Sequence, residues 1–157
     1  MIAIDDLRFL AQVVVVVLGW SVVHYLSEVR DRRHSRLELL VRSIDAAWEL
    51  GDKLLAIAFV YHGNVRNVRH ELEIRMMFQD LMLRTISFSE LSANIAEIAA
   101  CRNAVLGLRL SVTRGHFEGR HTAPLEATSL LYWEMSDRAM RVKRAFLKLR
   151  HQQYKNR

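Results

Sequence analysis

The sequence has few of the residues that break or cross-link a chain. Of 157 residues, one is proline, one is cysteine and six are glycine. So few turn-forming residues disfavour a protein of many strands and tight turns, and they favour helices. The lone cysteine, Cys101, rules out an internal disulfide and is compatible with a reducing compartment. We therefore expect an all-α protein in which Cys101 is a small buried apolar residue.

Charge of either sign is missing between Arg8 and Glu28. As a helix, the apolar residues 9–26 would span about 27 Å, close to the hydrocarbon thickness of a bilayer. The run Val13 to Val17 forms helix poorly in water, but in lipid a helix is the way for one segment to pair its backbone. The alternative is a fully buried core helix, which is equally apolar all round. We predict a single transmembrane helix over residues 9–26.

The two flanks of this stretch differ in charge. Asp5 and Asp6 accompany Arg8 before it, whereas the residues after it supply five arginines: Arg30, Arg32, Arg33, Arg36 and Arg42. Basic residues close to a span tend to stay on the cytoplasmic side. We therefore expect a plasma (inner) membrane protein with its N-terminus outside and its C-terminal part in the cytoplasm.

The chain then divides into four segments. They are a short external N-terminus (1–8), the transmembrane helix (9–26), a basic juxtamembrane segment (27–36) and a cytosolic helical domain (37–157). About 130 residues outside the span are enough for one domain with a modest core. We predict a bundle of four or five helices there.

Apolar residues at helical spacing predict the helices of this domain. The clearest stripes are Leu37, Leu40, Val41, Ile44 and Trp48; the wide face of Val68, Leu72 and Met76 with Ile74, Met77, Phe78, Leu81 and Met82; Leu91, Ile95, Ile98, Cys101, Val105, Leu108 and Val112; and Tyr132, Met135, Ala139, Val142, Phe146 and Leu149. The stripe from Leu91 to Val112 is the most regular, and we expect it to be buried against a partner helix.

Local signals predict where these helices begin and end. Ser35 with Glu38 and Ser87 with Glu90 have capping-box spacing, so helices are expected to start there, although the span could equally run on unbroken past Ser35. Gly51 offers a stop. Pro124 suits the first turn of the last helix, after a loop over residues 114–123.

Acidic residues are absent after Asp137, while the last twenty residues carry eight cationic side chains. Five basic residues lie on the face of the last helix opposite its apolar stripe: Arg141, Arg144, Lys148, His151 and Lys155. Such a face suits anionic lipid headgroups or an acidic protein. Nucleic acid is an alternative partner, because arginine outnumbers lysine and binds phosphate in a bidentate manner. A plainly solvated outer face has the same pattern.

Two residues within the span predict self-association. Gln12 and Gly19 are seven apart and so share one helix face. A glutamine amide in hydrocarbon seeks a hydrogen-bond partner, and glycine lets another backbone approach. The alternative is a lone helix with Gln12 near the outer interface.

Three arginine and histidine pairs have the spacing of an enzyme motif. Arg109 and His116 are separated by six residues, and Arg114 with His121 and Arg144 with His151 have the same spacing. This resembles RNases of the HEPN class, which are helical bundles with an arginine, four to six intervening residues and a histidine. The resemblance implies a catalytic role for Arg109 and His116. Leu110 follows Arg109 where that family has a polar residue.

No other motif indicates catalysis. The seven histidines lack the spacing of a zinc site, and Cys101 lies within an apolar stripe, so we expect no metal and no cofactor. Small single-span proteins of this layout resemble accessory and effector proteins of bacteria and phages. We predict a non-enzymatic, membrane-anchored interaction module or effector that associates with itself. The alternative is a membrane-tethered nucleic-acid-binding or HEPN-like RNase protein.

Overall fold

The computed structural model describes residues 4–114, 117–119, 124–126 and 128–155. These residues form four helices and no strand, which confirms the all-helical prediction. The helices are α1 (Ile4–Gly63), α2 (Val68–Leu91), α3 (Ile95–Val112) and α4 (Leu130–Lys155).

The chain separates into two compact units, residues 1–38 and 39–157, and α1 contributes to both. In the first unit, every side chain from residue 12 to residue 26 is exposed. In the second unit, the remainder of α1 and the three other helices surround a buried apolar core. The four-residue connection between α1 and α2 is of the length that joins antiparallel neighbours.

Helix α1 runs unbroken through Ser35 and Gly51, so the prediction of a stop at Gly51 is wrong. Ser35 Oγ donates a hydrogen bond to the Asp31 carbonyl 3.0 Å away, a mid-helix bond rather than a cap. A helical glycine costs about 0.5–1 kcal/mol relative to alanine. Complete burial of Ala47 and Leu54 on either side of Gly51 offsets that cost.

The predicted helix start at Ser87 is also wrong. Ser87 Oγ donates to the Arg84 carbonyl at 2.8 Å, and α2 continues past it because Phe88 is fully buried. Helix α3 begins later, where Asn94 is the N-cap and its side chain accepts a hydrogen bond from the Glu97 amide. Three residues therefore separate α2 from α3.

The predicted stripes of α3 and α4 form much of the core. Ile98, Cys101, Val105, Leu108 and Val112 are buried, as are Met135, Ala139, Val142, Phe146 and Leu149. Ile95 is an exception, because it lies in the first turn of α3 and is exposed. Phe146 meets Phe88 edge to face, with ring centroids 5.7 Å apart. Burial raises the pKa of the Cys101 thiol to about 12.

The connection before α4 is longer than predicted. Pro124 lies outside α4, which begins at Leu130, so its placement in the first helical turn is wrong. Ser129 occupies the position just before the helix, and its hydroxyl accepts a hydrogen bond from the Leu131 amide at 3.4 Å. The Leu125 amide donates to the His62 carbonyl at 2.9 Å, which holds the connection against the end of α1.

Candidate functional site

Residues 12–26 are the most extended apolar surface of the described chain. α1 is the single described helix that is long and apolar enough to cross a membrane, and none of its most apolar window is buried. Trp20 and His24 stack in parallel with ring centroids 5.4 Å apart, and Ser21 Oγ donates to the Val17 carbonyl. The Ser21 hydroxyl thus forms its hydrogen bond within its own helix, and the surrounding surface stays apolar.

Gln12 and Gly19 both lie on this exposed helix. A Cβ atom at Gly19 would meet no other atom within 4 Å, so the backbone there is open to the approach of another helix.

The predicted basic face of α4 is partly neutralised. Arg141 pairs with Asp137 one turn earlier, at 2.8 Å. Lys148 Nζ lies 3.1 Å from Glu97 Oε1 on α3. Arg144, His151 and Lys155 are exposed and remain directed to solvent. The face therefore presents three exposed basic side chains, and Lys148 also helps to hold α4 to α3.

Glu97 is the centre of a polar cluster that sequence reasoning missed. Its residue surface is 7% exposed, and its Oε1 accepts a hydrogen bond from Gln152 Nε2 at 3.0 Å. The Gln152 carbonyl oxygen in turn accepts from Asn94 Nδ2. Glu97 Oε2 is buried without a hydrogen-bond partner among the described atoms. The cluster joins the start of α3 to the end of α4.

A second missed cluster surrounds the connection between α1 and α2. Glu71, 5% exposed, accepts hydrogen bonds from Tyr61 Oη at 2.8 Å and from Arg66 Nε at 2.7 Å. The Arg66 hydrogen bonds, with the Tyr61 bond and despite burial, hold the pKa of the Glu71 carboxyl below its ordinary value. Burial and then the bond to Glu71 raise the pKa of Tyr61.

The same tyrosine reaches the segment that follows α3. Tyr61 Oη accepts a hydrogen bond from the Glu118 amide at 3.3 Å. Glu118 has a left-handed backbone with φ 63°, a conformation that costs free energy in a residue with a side chain. Its carboxylate binds Arg75 on α2, with Arg75 Nε 2.6 Å from Oε1.

Arg109 lies on the wall of a cleft of about 480 Å³ between α2 and α3. The other lining residues are Arg75, Phe78, Gln79, Thr113, Phe117 and Glu118. His116 and His121 are outside the described residues, so two of the three arginine and histidine pairs of the HEPN resemblance are represented only by their arginines. The third pair, Arg144 and His151, is described in full and is exposed on α4. Within that part, no three histidine, cysteine or acidic side chains are grouped as a metal site.

This chain matches no protein-family model, no curated protein and no solved structure. Its function is therefore inferred from the chemistry of its own surfaces.

Helix α2 exposes an apolar surface on the side opposite its buried residues. Val68, Leu72, Met76, Leu83 and Ile86 form this α2 apolar face, and they are between 44% and 66% exposed. The wide apolar face predicted for this segment therefore has a buried side, with Ile74, Phe78 and Leu81 in the core, and an exposed side. Apolar side chains grouped on one exposed helix face form a candidate interaction surface.

Proposed function

We propose that this protein is a single-pass, membrane-anchored interaction module that associates with itself and works without catalysis. The observation that carries the proposal is the exposure of every side chain from residue 12 to residue 26 in a chain whose residues 39–157 bury a core of their own. Transfer of that apolar surface from water to lipid is favourable by about 25 cal/mol per Å². A protein of this form gains stability by inserting the helix in a bilayer.

In this proposal the N-terminus lies outside and the C-terminal domain in the cytoplasm. The five arginines that follow the span support this orientation, since all of them are exposed and would remain on the cytoplasmic side. Gln12 and Gly19 provide the contact between spans. Arg144, His151 and Lys155 face anionic lipid or an acidic partner.

Membrane fractionation tests the anchor. The full chain is expressed in a bacterium, membranes are washed with alkaline carbonate, and the protein is followed by its tag. We expect the wild-type chain to stay in the pellet and the Val15→Arg, Val16→Arg double variant to leave it, because each arginine at the centre of a span costs about 2.5–3.5 kcal/mol on insertion scales. The matched control replaces the same two residues with leucine and should stay in the pellet. Recovery of the wild-type chain in the soluble fraction without detergent would overturn the proposal.

A fusion of alkaline phosphatase after Arg157 tests the orientation. This reporter is active only outside the cytoplasm, so we expect no activity. The same reporter fused before Met1 serves as the control and should be active. The reverse pattern would contradict the proposed topology.

A further inference from the structure

The α2 apolar face has the periodicity of a helix that packs against another helix. Leu72, Met76, Gln79, Leu83 and Ile86 follow one another at alternating steps of four and three residues. This is the spacing of the seam in a two-stranded coiled coil. Gln79, the one polar residue in the row, is exposed at its centre. A single polar residue in such a seam fixes the register of the two helices.

A groove beside this face can receive the side chains of a partner helix. It has a volume of about 450 Å³ and lies between α1 and α2, where Leu50, Met76 and Met77 line it. Methionine side chains adapt their shape to what packs on them. The α2 apolar face and the adjoining groove together form a surface into which side chains of a facing helix can insert.

The charges that flank the face identify a second copy of this chain as the occupant. Glu73 and Asp80 lie along one edge of the row, and Arg75 lies along the other. Two parallel copies place Arg75 of each copy beside Asp80 of the other, whereas antiparallel copies place two acidic edges together. Parallel self-pairing is therefore complementary in charge, and antiparallel self-pairing is not.

The flanking charges are able to change partners. In the single chain Arg75 binds Glu118 and Asp80 binds Arg84, and all four side chains are more than a third exposed. Ion pairs at such exposed sites contribute about 0–1 kcal/mol each. Exchange of these pairs on dimer formation thus costs little.

We propose that the α2 apolar face packs against the same face of a second copy, with the two α2 helices parallel. This inference rests on the proposed membrane anchor, because confinement of two copies to one bilayer raises their effective concentration and makes a short apolar seam sufficient for pairing.

Disulfide trapping in native membranes tests the pairing and its direction. Leu72→Cys and Ile86→Cys are made separately in the full chain, in which the native Cys101 is fully buried and so unreactive. In the parallel pair each engineered cysteine faces the same cysteine of the other chain. Mild oxidation should therefore give a covalent dimer with either variant alone. The control is Arg102→Cys, an exposed position on α3, which should stay monomeric.

Three outcomes overturn the inference. The first is no dimer with either variant. The second is a dimer no more abundant than with Arg102→Cys. The third is a dimer only when Leu72→Cys and Ile86→Cys are co-expressed, which indicates antiparallel pairing.

A charge substitution separates the failure of this inference from failure of the membrane anchor. Leu83→Asp, combined with Leu72→Cys, should abolish the covalent dimer while the protein stays in the carbonate-washed pellet. Leu83 is 64% exposed, so the substitution leaves the core intact. Leu110→Asp, at a similarly exposed apolar position on α3, is the matched control and should leave the dimer unchanged. A dimer that survives Leu83→Asp would refute the seam, whereas loss of the wild-type chain from the pellet would refute the anchor.

Discussion

At the scale of single residues, the buried carboxylates are the unexpected feature of this chain. Glu71 and Glu97 both occupy positions in phase with buried apolar residues, Glu71 with Ile74 and Phe78, and Glu97 with Cys101. Burial of a carboxylate is unfavourable unless it is paired and hydrogen-bonded. Arg66 and Tyr61 satisfy Glu71, whereas Glu97 retains one oxygen without a partner among the described atoms.

The stability that Glu71 contributes to the fold is expected to depend on pH. Its pKa is lower in the folded state than in the unfolded state, so its contribution to stability is complete above its ordinary pKa of about 4.3 and is lost as the pH falls through the folded value. We expect Glu71→Gln to lower the free energy of unfolding by about 1–3 kcal/mol at pH 7. The difference from wild type should shrink in acid.

Urea unfolding of the full chain in detergent, followed by circular dichroism at decreasing pH, measures this difference. Glu73→Gln, a half-buried glutamate on the same helix, is the control and should change the unfolding free energy little. A Glu71→Gln variant as stable as wild type at neutral pH would show that the cluster does not stabilise the fold.

At the scale of helices, sequence periodicity predicted the faces better than the ends. Apart from Ile95 and Tyr132 near the helix starts, the stripe residues within α3 and α4 are buried, because one core imposes one face on each helix. The ends depend on caps, and serine binds its own helix as readily as it caps one. Ser35 and Ser87 both donate to a carbonyl within the preceding turn, so neither begins a helix.

Gly51 is a position in α1 at which alanine is expected to stabilise the protein. Gly51 lies within the helix, and an added Cβ atom would meet nothing within 4 Å. Gly51→Ala should therefore raise the free energy of unfolding by about 0.5–1 kcal/mol, because alanine loses less backbone entropy on folding. Gly63→Ala is the comparison, since its Cβ atom would lie 3.2 Å from Tyr132 Oη and should give no gain. Thermal unfolding in detergent measures both, and a destabilised Gly51→Ala variant would contradict the prediction.

Short-range sequence patterns do not predict the clusters around Glu71 and Glu97. Glu71 is bound by Tyr61 and Arg66 across a turn, and Glu97 by Lys148 and Gln152 more than fifty residues away. The available signal was a charged residue in register with an apolar stripe. That signal identifies a buried carboxylate, but the identity of its partners depends on how the helices pack.

For the whole molecule, the exposed basic side chains of α4 are expected to influence which surfaces attract it. Arg144, His151 and Lys155 are exposed. Each Lys or Arg close to an anionic membrane surface contributes about 1 kcal/mol, and the attraction declines within a Debye length of roughly 8–10 Å. A salt-sensitive contact between the end of α4 and anionic lipid is therefore expected.

Hydrogen exchange of the full chain reconstituted in vesicles tests this contact. Amides of residues 144–155 should exchange more slowly in vesicles with anionic phosphatidylglycerol than in neutral phosphatidylcholine vesicles, and high salt should remove the difference. Replacement of Arg144, His151 and Lys155 by glutamine should also remove it. A variant with Arg102 and Arg109 replaced by glutamine controls for net charge, because both are exposed on α3. Equal exchange in both lipids would contradict the prediction, and slower exchange with RNA alone would favour a nucleic-acid partner.

The phenolic oxygen of Tyr61 has a consequence for how the domain opens. It donates to Glu71 on α2 and accepts from the amide of Glu118, so one atom joins the end of α1 to two other parts of the chain. When either of these two hydrogen bonds breaks, the Tyr61 hydroxyl is held less firmly in position for the other. Opening of the segment around Glu118 and loosening of the α1–α2 junction are thus thermodynamically linked, and each event lowers the free energy required for the other.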